Sequence, residues 1–222
     1  MSSWGVTLEQ IKGIKSGTTT VGIVCKDGVV LAAEKKATMG YLVASKEDIK
    51  IVEIAPHIAM TQAGMVGDVQ ALTRYLRAEV KLFELRNRRR ITVKGAATLL
   101  SNILYAGRWS FFPYYVQLIL AGYDDSGPNL FILHPDGSNL EEKKFFATGS
   151  GSPIAFGVLE ASYKEDLNID EGKKLAVKAV KAAIERDIGS GGKGINVAII
   201  DEKGFRMLKE EEVKKLIESI EK

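Results

Sequence analysis

The chain has 222 residues, of which 45% are hydrophobic and 27% are charged, which is the composition of an ordinary soluble globular domain with one sizeable core. A net charge of +3, from 31 Lys and Arg against 28 Asp and Glu, gives no electrostatic argument for nucleic acid or a membrane surface as partner. The longest apolar stretches, such as 116–121, fall far short of the roughly 18 to 20 residues that cross a bilayer.

The N-terminus and two rare residue types narrow the chemistry further. The first ten residues lack a basic segment and a continuous apolar run, so we expect a cytoplasmic protein without a secretory signal. The single cysteine, Cys25, lies in a valine-rich run and is expected to be a buried small hydrophobe. The two histidines, His57 and His134, adjoin prolines in predicted turns. Any hydrolysis would therefore proceed without a histidine base, and the residues imply no metal or organic cofactor.

The first half of the chain predicts strands followed by two helices. An Asp-Gly turn at Asp27 joins two β-rich runs, which is typical of a hairpin. A helical stripe of apolar residues then predicts a long amphipathic helix with Asp68 near its start. The predicted strands are 18–25, 29–33, 49–54 and 58–62, and the helices cover 69–83 and about 93–106. The basic run 86–90 at the end of the first helix is expected to be solvated.

The second half repeats this order. Strands are predicted at 115–121, 130–133 and near Phe145, followed by a helix from about Pro153 and another from about Asp170. Strands at 195–200 and 205–208 and a helix over 213–220 complete the chain. Because strands alternate with pairs of helices, the pattern favours an α+β fold over a doubly wound parallel sheet.

Gly17-Thr18-Thr19-Thr20 admits two interpretations. Threonine is β-branched and common in strands, so the run is explained by the first strand alone. Alternatively, cleavage before Thr18 would expose an α-amine with a pKa of about 7.7 to 8.0, which suits a general base at neutral pH. The hydroxyl and amine of Thr18 would then supply both nucleophile and base.

Five motifs appear in order along the chain, at 17–23, 35–40, 63–68, 149–153 and 186–192. Together they resemble those of proteasome β subunits of the archaeal type, over nearly all of 18–222. The resemblance implies a single N-terminal nucleophile hydrolase domain over 18–222, an αββα sandwich of four layers. Residues 1–17 resemble a propeptide that is removed by self-cleavage.

The resemblance also implies a set of site residues. Thr18 resembles the nucleophile, and Glu34 and Lys50, 16 and 32 positions later, match the acid and the lysine of the family. The Lys50 ammonium would favour the deprotonated threonine, and Glu34 would compensate that ammonium. Taken alone, both would be read as solvated charges. Many relatives carry Asp in place of this Glu.

Four further residues match supporting positions of the family. Ser150, Asp187 and Ser190 match the polar group that holds the amine and a water beside the nucleophile. Alternatively, Ser150 is only a turn residue, and Asp187 and Ser190 only end a helix. Gly64 matches the residue whose backbone N–H binds the oxyanion, where a glycine permits close approach of the substrate.

A substrate pocket is implied in the same way. The residues that match its lining leave an apolar pocket of moderate size, which is consistent with cleavage after hydrophobic residues. Gln62 introduces an amide where many relatives have an apolar side chain. The matching positions are Ala37, Asp48, Val52, Gln62 and Val66.

The implied function is that of a catalytic β subunit of the 20S core, a threonine endopeptidase that degrades unfolded proteins. The implied partners are proteasome α subunits, a homo- or hetero-heptameric β ring and a regulatory ATPase ring, with neither nucleic acid nor membrane. Two alternatives remain. One is a catalytically silent or slow structural β subunit of a mixed ring, and the weaker one is a bacterial two-component peptidase of the same superfamily, which is shorter at its C-terminus.

Overall fold

A computed structural model describes residues 17–220 of the chain, so all of the predicted propeptide except Gly17 lies outside the described residues. Within that range the chain forms thirteen strands and five helices. The strands are β1 (Thr20–Cys25), β2 (Gly28–Glu34), β3 (Ala37–Met39), β4 (Leu42–Ser45), β5 (Ile51–Ala55), β6 (Ile58–Thr61), β7 (Ala63–Gly64), β8 (Val116–Asp124), β9 (Gly127–Leu133), β10 (Asn139–Glu142), β11 (Phe145–Thr148), β12 (Ile195–Asp201) and β13 (Gly204–Met207). The helices are α1 (Val66–Asn87), α2 (Val93–Gly107), α3 (Ser152–Ser162), α4 (Ile169–Arg186) and α5 (Glu210–Ile220).

The strands form two main antiparallel sheets. The first sheet has the order β11-β1-β2-β12-β13, and the second has the order β10-β9-β8-β6-β5, with β7 paired to β8. Strand β1 is hydrogen-bonded on both sides, because Thr20 pairs with Thr148 of β11 and with Ala33 of β2. The segment that precedes β1 therefore has a defined position at one end of the first sheet, between the ends of β11 and β2.

Three hydrophobic clusters hold the sheets and helices together. One lies between the two sheets and includes Leu31, Ile119 and Leu130. A second joins the first sheet to α3, α4 and α5, and a third joins the second sheet to α1 and α2. Every residue of β2 is buried, which explains its continuous apolar sequence: the strand has a core on each face.

The predicted elements and the α+β class are confirmed. The start of α4 is defined by a capping box, in which Asn168 and Glu171 exchange side-chain and backbone hydrogen bonds. Arg88 ends α1 in the left-handed conformation with φ of 52°, and the basic run that contains it is exposed, as expected.

The sequence analysis missed four strands, namely β7, β10 and the two strands of the β3–β4 hairpin. They are short, and β3, β4 and β10 are largely exposed, so no alternation of buried and polar residues marks them. No helix within 17–220 combines the length and the apolar character that a membrane span needs.

Cys25 is buried at the end of β1, as predicted, against Gly172 of α4. Burial raises the pKa of its thiol to about 12, and the carboxylates of Asp27 and Glu171 add to the effect. An unfolded chain releases this proton near pH 8.5, whereas the folded chain keeps it to about pH 12. The thiol's contribution to stability is therefore present below about pH 8.5 and is lost as the pH rises towards 12.

We predict that raising the pH from 8 to 10 lowers the free energy of unfolding of the unsubstituted chain by about 2 kcal/mol more than that of Cys25→Ala. Urea titrations of both proteins at the two pH values measure the difference. Equal pH dependence of the two proteins would contradict the assigned burial of the thiol.

Candidate active site

Thr18 lies immediately before β1 and is almost fully buried, with 3% of its surface exposed. Its Oγ1 accepts a hydrogen bond of 3.1 Å from the Lys50 ammonium and donates one of 2.7 Å to the carbonyl oxygen of Gly17. The hydroxyl therefore lies between a cation and the peptide bond that precedes it.

Lys50 and Glu34 form a buried ion pair beneath this hydroxyl. Glu34 is the last residue of β2 in the first sheet, and Lys50 directly precedes β5 in the second sheet. The Lys50 Nζ lies 2.5 Å from Glu34 Oε1, and the ammonium also donates to the carbonyl oxygen of Lys36. Together with Thr18, these acceptors use all three ammonium hydrogens.

The second oxygen of Glu34 is also occupied. Its Oε2 accepts from the backbone N–H of Lys36 at 2.6 Å and of Gly191 at 3.0 Å. Burial raises the pKa of the Glu34 carboxyl above its ordinary value, while the Lys50 ammonium and these two N–H groups oppose that rise. The carboxylate is thus fixed in position and directs the ammonium towards Thr18.

A second chain of hydrogen bonds starts at the backbone nitrogen of Thr18. This N–H donates to Ser150 Oγ at 3.2 Å, and Ser150 Oγ donates to Asp187 Oδ2 at 2.6 Å. Ser190 Oγ donates to the same carboxylate oxygen at 2.6 Å and lies 2.6 Å from Thr19 Oγ1. Because the Ser190 proton is used on Asp187, the Thr19 hydroxyl is the donor to Ser190.

Two glycine contacts bring these segments together. A Cβ on Gly17 would lie 2.0 Å from the Cα of Gly189, so the backbones before Thr18 and after Asp187 touch directly. Gly64 has φ of 124°, and a Cβ there would lie 2.2 Å from the carbonyl oxygen of Tyr115. Only glycine fits at either place.

A small pocket opens beside Thr18. Four of the five residues predicted to line it do so; the exception is Val52, which instead packs against the hydrophobic cluster under α1 and α2. Consecutive residues of β5 point to opposite faces, and Ile51 faces the cluster between the sheets. The lining consists of Gly17, Thr18, Ala37, Thr38, Asp48, Lys50, Gln62, Gly64, Val66 and Val69.

All seven candidate catalytic residues thus lie at one site, which consists of Thr18 and the six residues around it. Thr18, Glu34, Lys50, Ser150, Asp187 and Ser190 belong to one hydrogen-bonded network, and Gly64 lines the pocket. The sequence analysis missed Thr19, the Gly191 N–H and the Lys36 carbonyl, and for the pocket it missed Thr38 and Val69. Backbone groups leave no signal in residue types, and Thr19 was hidden within a run of strand-forming threonines.

Comparison with known proteins places the chain in a family. A model of the family described as "Proteasome subunit" matches residues 14–200. A proteasome subunit beta of Methanocaldococcus vulcanius is 52% identical over 90% of this chain and 89% of its own. The subunit of Archaeoglobus profundus is 50% identical, over 93% and 95% of the two chains. That of Methanothermobacter thermautotrophicus is 47% identical, over 94% and 98%.

The chain therefore belongs to the proteasome subunit family, and its predicted resemblance to β subunits of the archaeal type is confirmed. The family is one of proteases.

The buried pair generates a stability prediction. Glu34→Gln leaves the Lys50 ammonium buried without its counter-ion, and loss of one partner of a buried pair costs about 3–5 kcal/mol. We expect a decrease of that order in the free energy of unfolding, measured by urea denaturation.

The matched control is Glu47→Gln, which removes the partner of Lys193 from an ion pair exposed on both sides. It should change stability far less, because solvent screens that pair. Similar losses in both variants would contradict the importance of the Lys50–Glu34 pair.

Proposed function

We propose that this β subunit is a catalytic one, a threonine-type endopeptidase that exposes Thr18 by cleaving its own Gly17–Thr18 bond. The observation that supports it is the position of the Thr18 hydroxyl, 3.1 Å from the Lys50 ammonium and 2.7 Å from the oxygen of the peptide group to be cleaved. A purely structural role does not require a buried ion pair directed at a buried threonine hydroxyl.

Self-cleavage begins with attack of Thr18 Oγ1 on the carbonyl carbon of Gly17. A C–O bond forms, the C–N bond breaks, and the hydroxyl proton ends on the released α-amine of Thr18. Water then hydrolyses the ester, which leaves a carboxylate on Gly17 and a free N-terminus on Thr18. In the uncut chain the Thr18 nitrogen is an amide that donates to Ser150, so it becomes available as a base only after this step.

The same groups then serve peptide hydrolysis. The Thr18 α-amine, with an ordinary pKa of about 7.7 to 8.0, accepts the hydroxyl proton while Oγ1 attacks the substrate carbonyl. The Lys50 ammonium stabilises the developing charge on Oγ1, and Glu34 holds that ammonium in place. The amine product leaves with the proton, and water releases the acyl group.

The remaining site residues position the reacting groups. Ser150, which Asp187 holds by a hydrogen bond of 2.6 Å, fixes the nitrogen of Thr18, and Ser190 supports the same carboxylate. We assign oxyanion binding to the backbone N–H of Gly64, which lies in the pocket lining beside Thr18.

The domain arrangement forms part of the same proposal. Residues 18–222 form one domain of the N-terminal nucleophile hydrolase type, and residues 1–17 are its propeptide. The cluster between the sheets, together with the two clusters that join each sheet to its helices, supports a sandwich of four layers in the order αββα.

The family membership supports the assembly that we propose. The subunit forms a homo- or hetero-heptameric β ring, and α subunits pair with it in the 20S core. A regulatory ATPase ring supplies unfolded proteins, which are the substrates, in the cytoplasm. Neither nucleic acid nor membrane has a role.

Thr18→Ala should abolish processing and lower peptide hydrolysis by at least about a thousandfold, because it removes the nucleophile of both reactions. Lys50→Ala should have nearly the same effect. Intact mass after mixing with α subunits measures processing, and a fluorogenic peptide measures hydrolysis.

Thr98→Ala is the control, because Thr98 is an exposed residue of α2 that bonds only the Lys94 carbonyl among its described contacts. It should process and hydrolyse normally. Full turnover by Thr18→Ala, or an uncut and inactive unsubstituted chain in assembled rings, would refute the proposal; the second result would favour the structural β subunit.

A further inference from the structure

The pocket beside Thr18 has a mixed polar and apolar lining. Val52 does not line it, whereas Thr38 and Val69 do. Asp48, Gln62 and Thr38 thus line a pocket whose apolar residues are Ala37, Val66 and Val69.

Asp48 carries the uncompensated charge of this pocket. The other charged residue in the lining, Lys50, is matched by Glu34, whose oxygen lies 2.5 Å from its nitrogen. Among residues 17–220, no cation lies within ion-pair distance of the Asp48 carboxylate. Among the charged side chains that line the pocket, that of Asp48 is therefore the one without a counter-ion.

Three cations of the neighbouring segments are engaged elsewhere. Lys35 pairs with Glu210 at 2.8 Å, and Lys36 donates its ammonium to the carbonyl oxygen of Ile188 at 2.7 Å. Lys193 pairs with Glu47 at 3.0 Å. None of these side chains lines the pocket, so none neutralises Asp48 there.

Hydrogen bonds anchor the backbone at two of the pocket's polar residues. The Asp48 N–H donates to the carbonyl oxygen of Lys35 at 2.9 Å, and the Gln62 N–H donates to that of Lys50 at 2.9 Å. Asp48 is half-buried, so its carboxylate is shielded in part from bulk solvent yet accessible from the pocket. A partly shielded carboxylate binds a cation more strongly than an exposed one.

We propose that Asp48 makes this pocket accept a lysine or arginine side chain before the cleaved bond, an inference that rests on the proposed peptidase function. The aliphatic stem of such a side chain would pack against Ala37, Val66 and Val69, and its charged end would meet the Asp48 carboxylate. The Gln62 side-chain carbonyl supplies a second acceptor.

The test uses two fluorogenic peptides that differ in one residue, which is arginine in one peptide and tyrosine in the other, directly before the fluorophore. The enzyme is the assembled core of α subunits and processed β subunits. Asp48→Asn keeps the shape of the side chain and removes its charge. We expect the ratio of kcat/KM for the arginine peptide to that for the tyrosine peptide to fall about tenfold in this variant. Raising the salt concentration should lower the same ratio for the unsubstituted protein.

The matched control is Glu47→Gln, which removes the neighbouring carboxylate; that carboxylate is exposed, paired with Lys193 and outside the pocket lining. It should leave the ratio unchanged. An unchanged ratio in Asp48→Asn, or cleavage of the tyrosine peptide alone by the unsubstituted protein, would overturn the specificity while the peptidase function stands. Failure to cleave either peptide would overturn both.

Discussion

The buried ion pair between Lys50 and Glu34 is the interaction on which the candidate site depends. Neither charge can be buried alone, because desolvation of an unpaired ion costs several kcal/mol. The pair can form only if the end of β2 and the start of β5 meet, and these strands belong to different sheets. The packing of the two sheets and the position of the ammonium beside Thr18 are therefore linked.

Close backbone contacts impose a second constraint. Gly17 touches Gly189, and a side chain at either position would push the segment before Thr18 away from the loop after Asp187. The Thr18 nitrogen would then lose its place beside Ser150 and Asp187. Glycines at these positions thus position the polar groups of the site, although they supply no chemistry themselves.

The arrangement explains how the chain can be a hydrolase although neither of its histidines lies at the site. One histidine is buried against the Ile91 carbonyl, and the other lies in a turn. The proposed base is absent until the Gly17–Thr18 bond is cleaved, so the uncut chain holds its nucleophile but lacks the group that activates it. In this proposal a single bond cleavage supplies the base.

The sequence by itself determined the helices, most strands and the α+β class, because their apolar spacing is a local property of the chain. The family motifs pointed to the residues around Thr18. The tertiary structure alone decided that the end of β2 and the start of β5, which belong to different sheets, meet beside Thr18. It also decided that Thr19 and two backbone groups complete the network and that Val52 faces away from the pocket. These contacts join residues distant in sequence, and the side of a strand that faces a pocket depends on its register in the sheet.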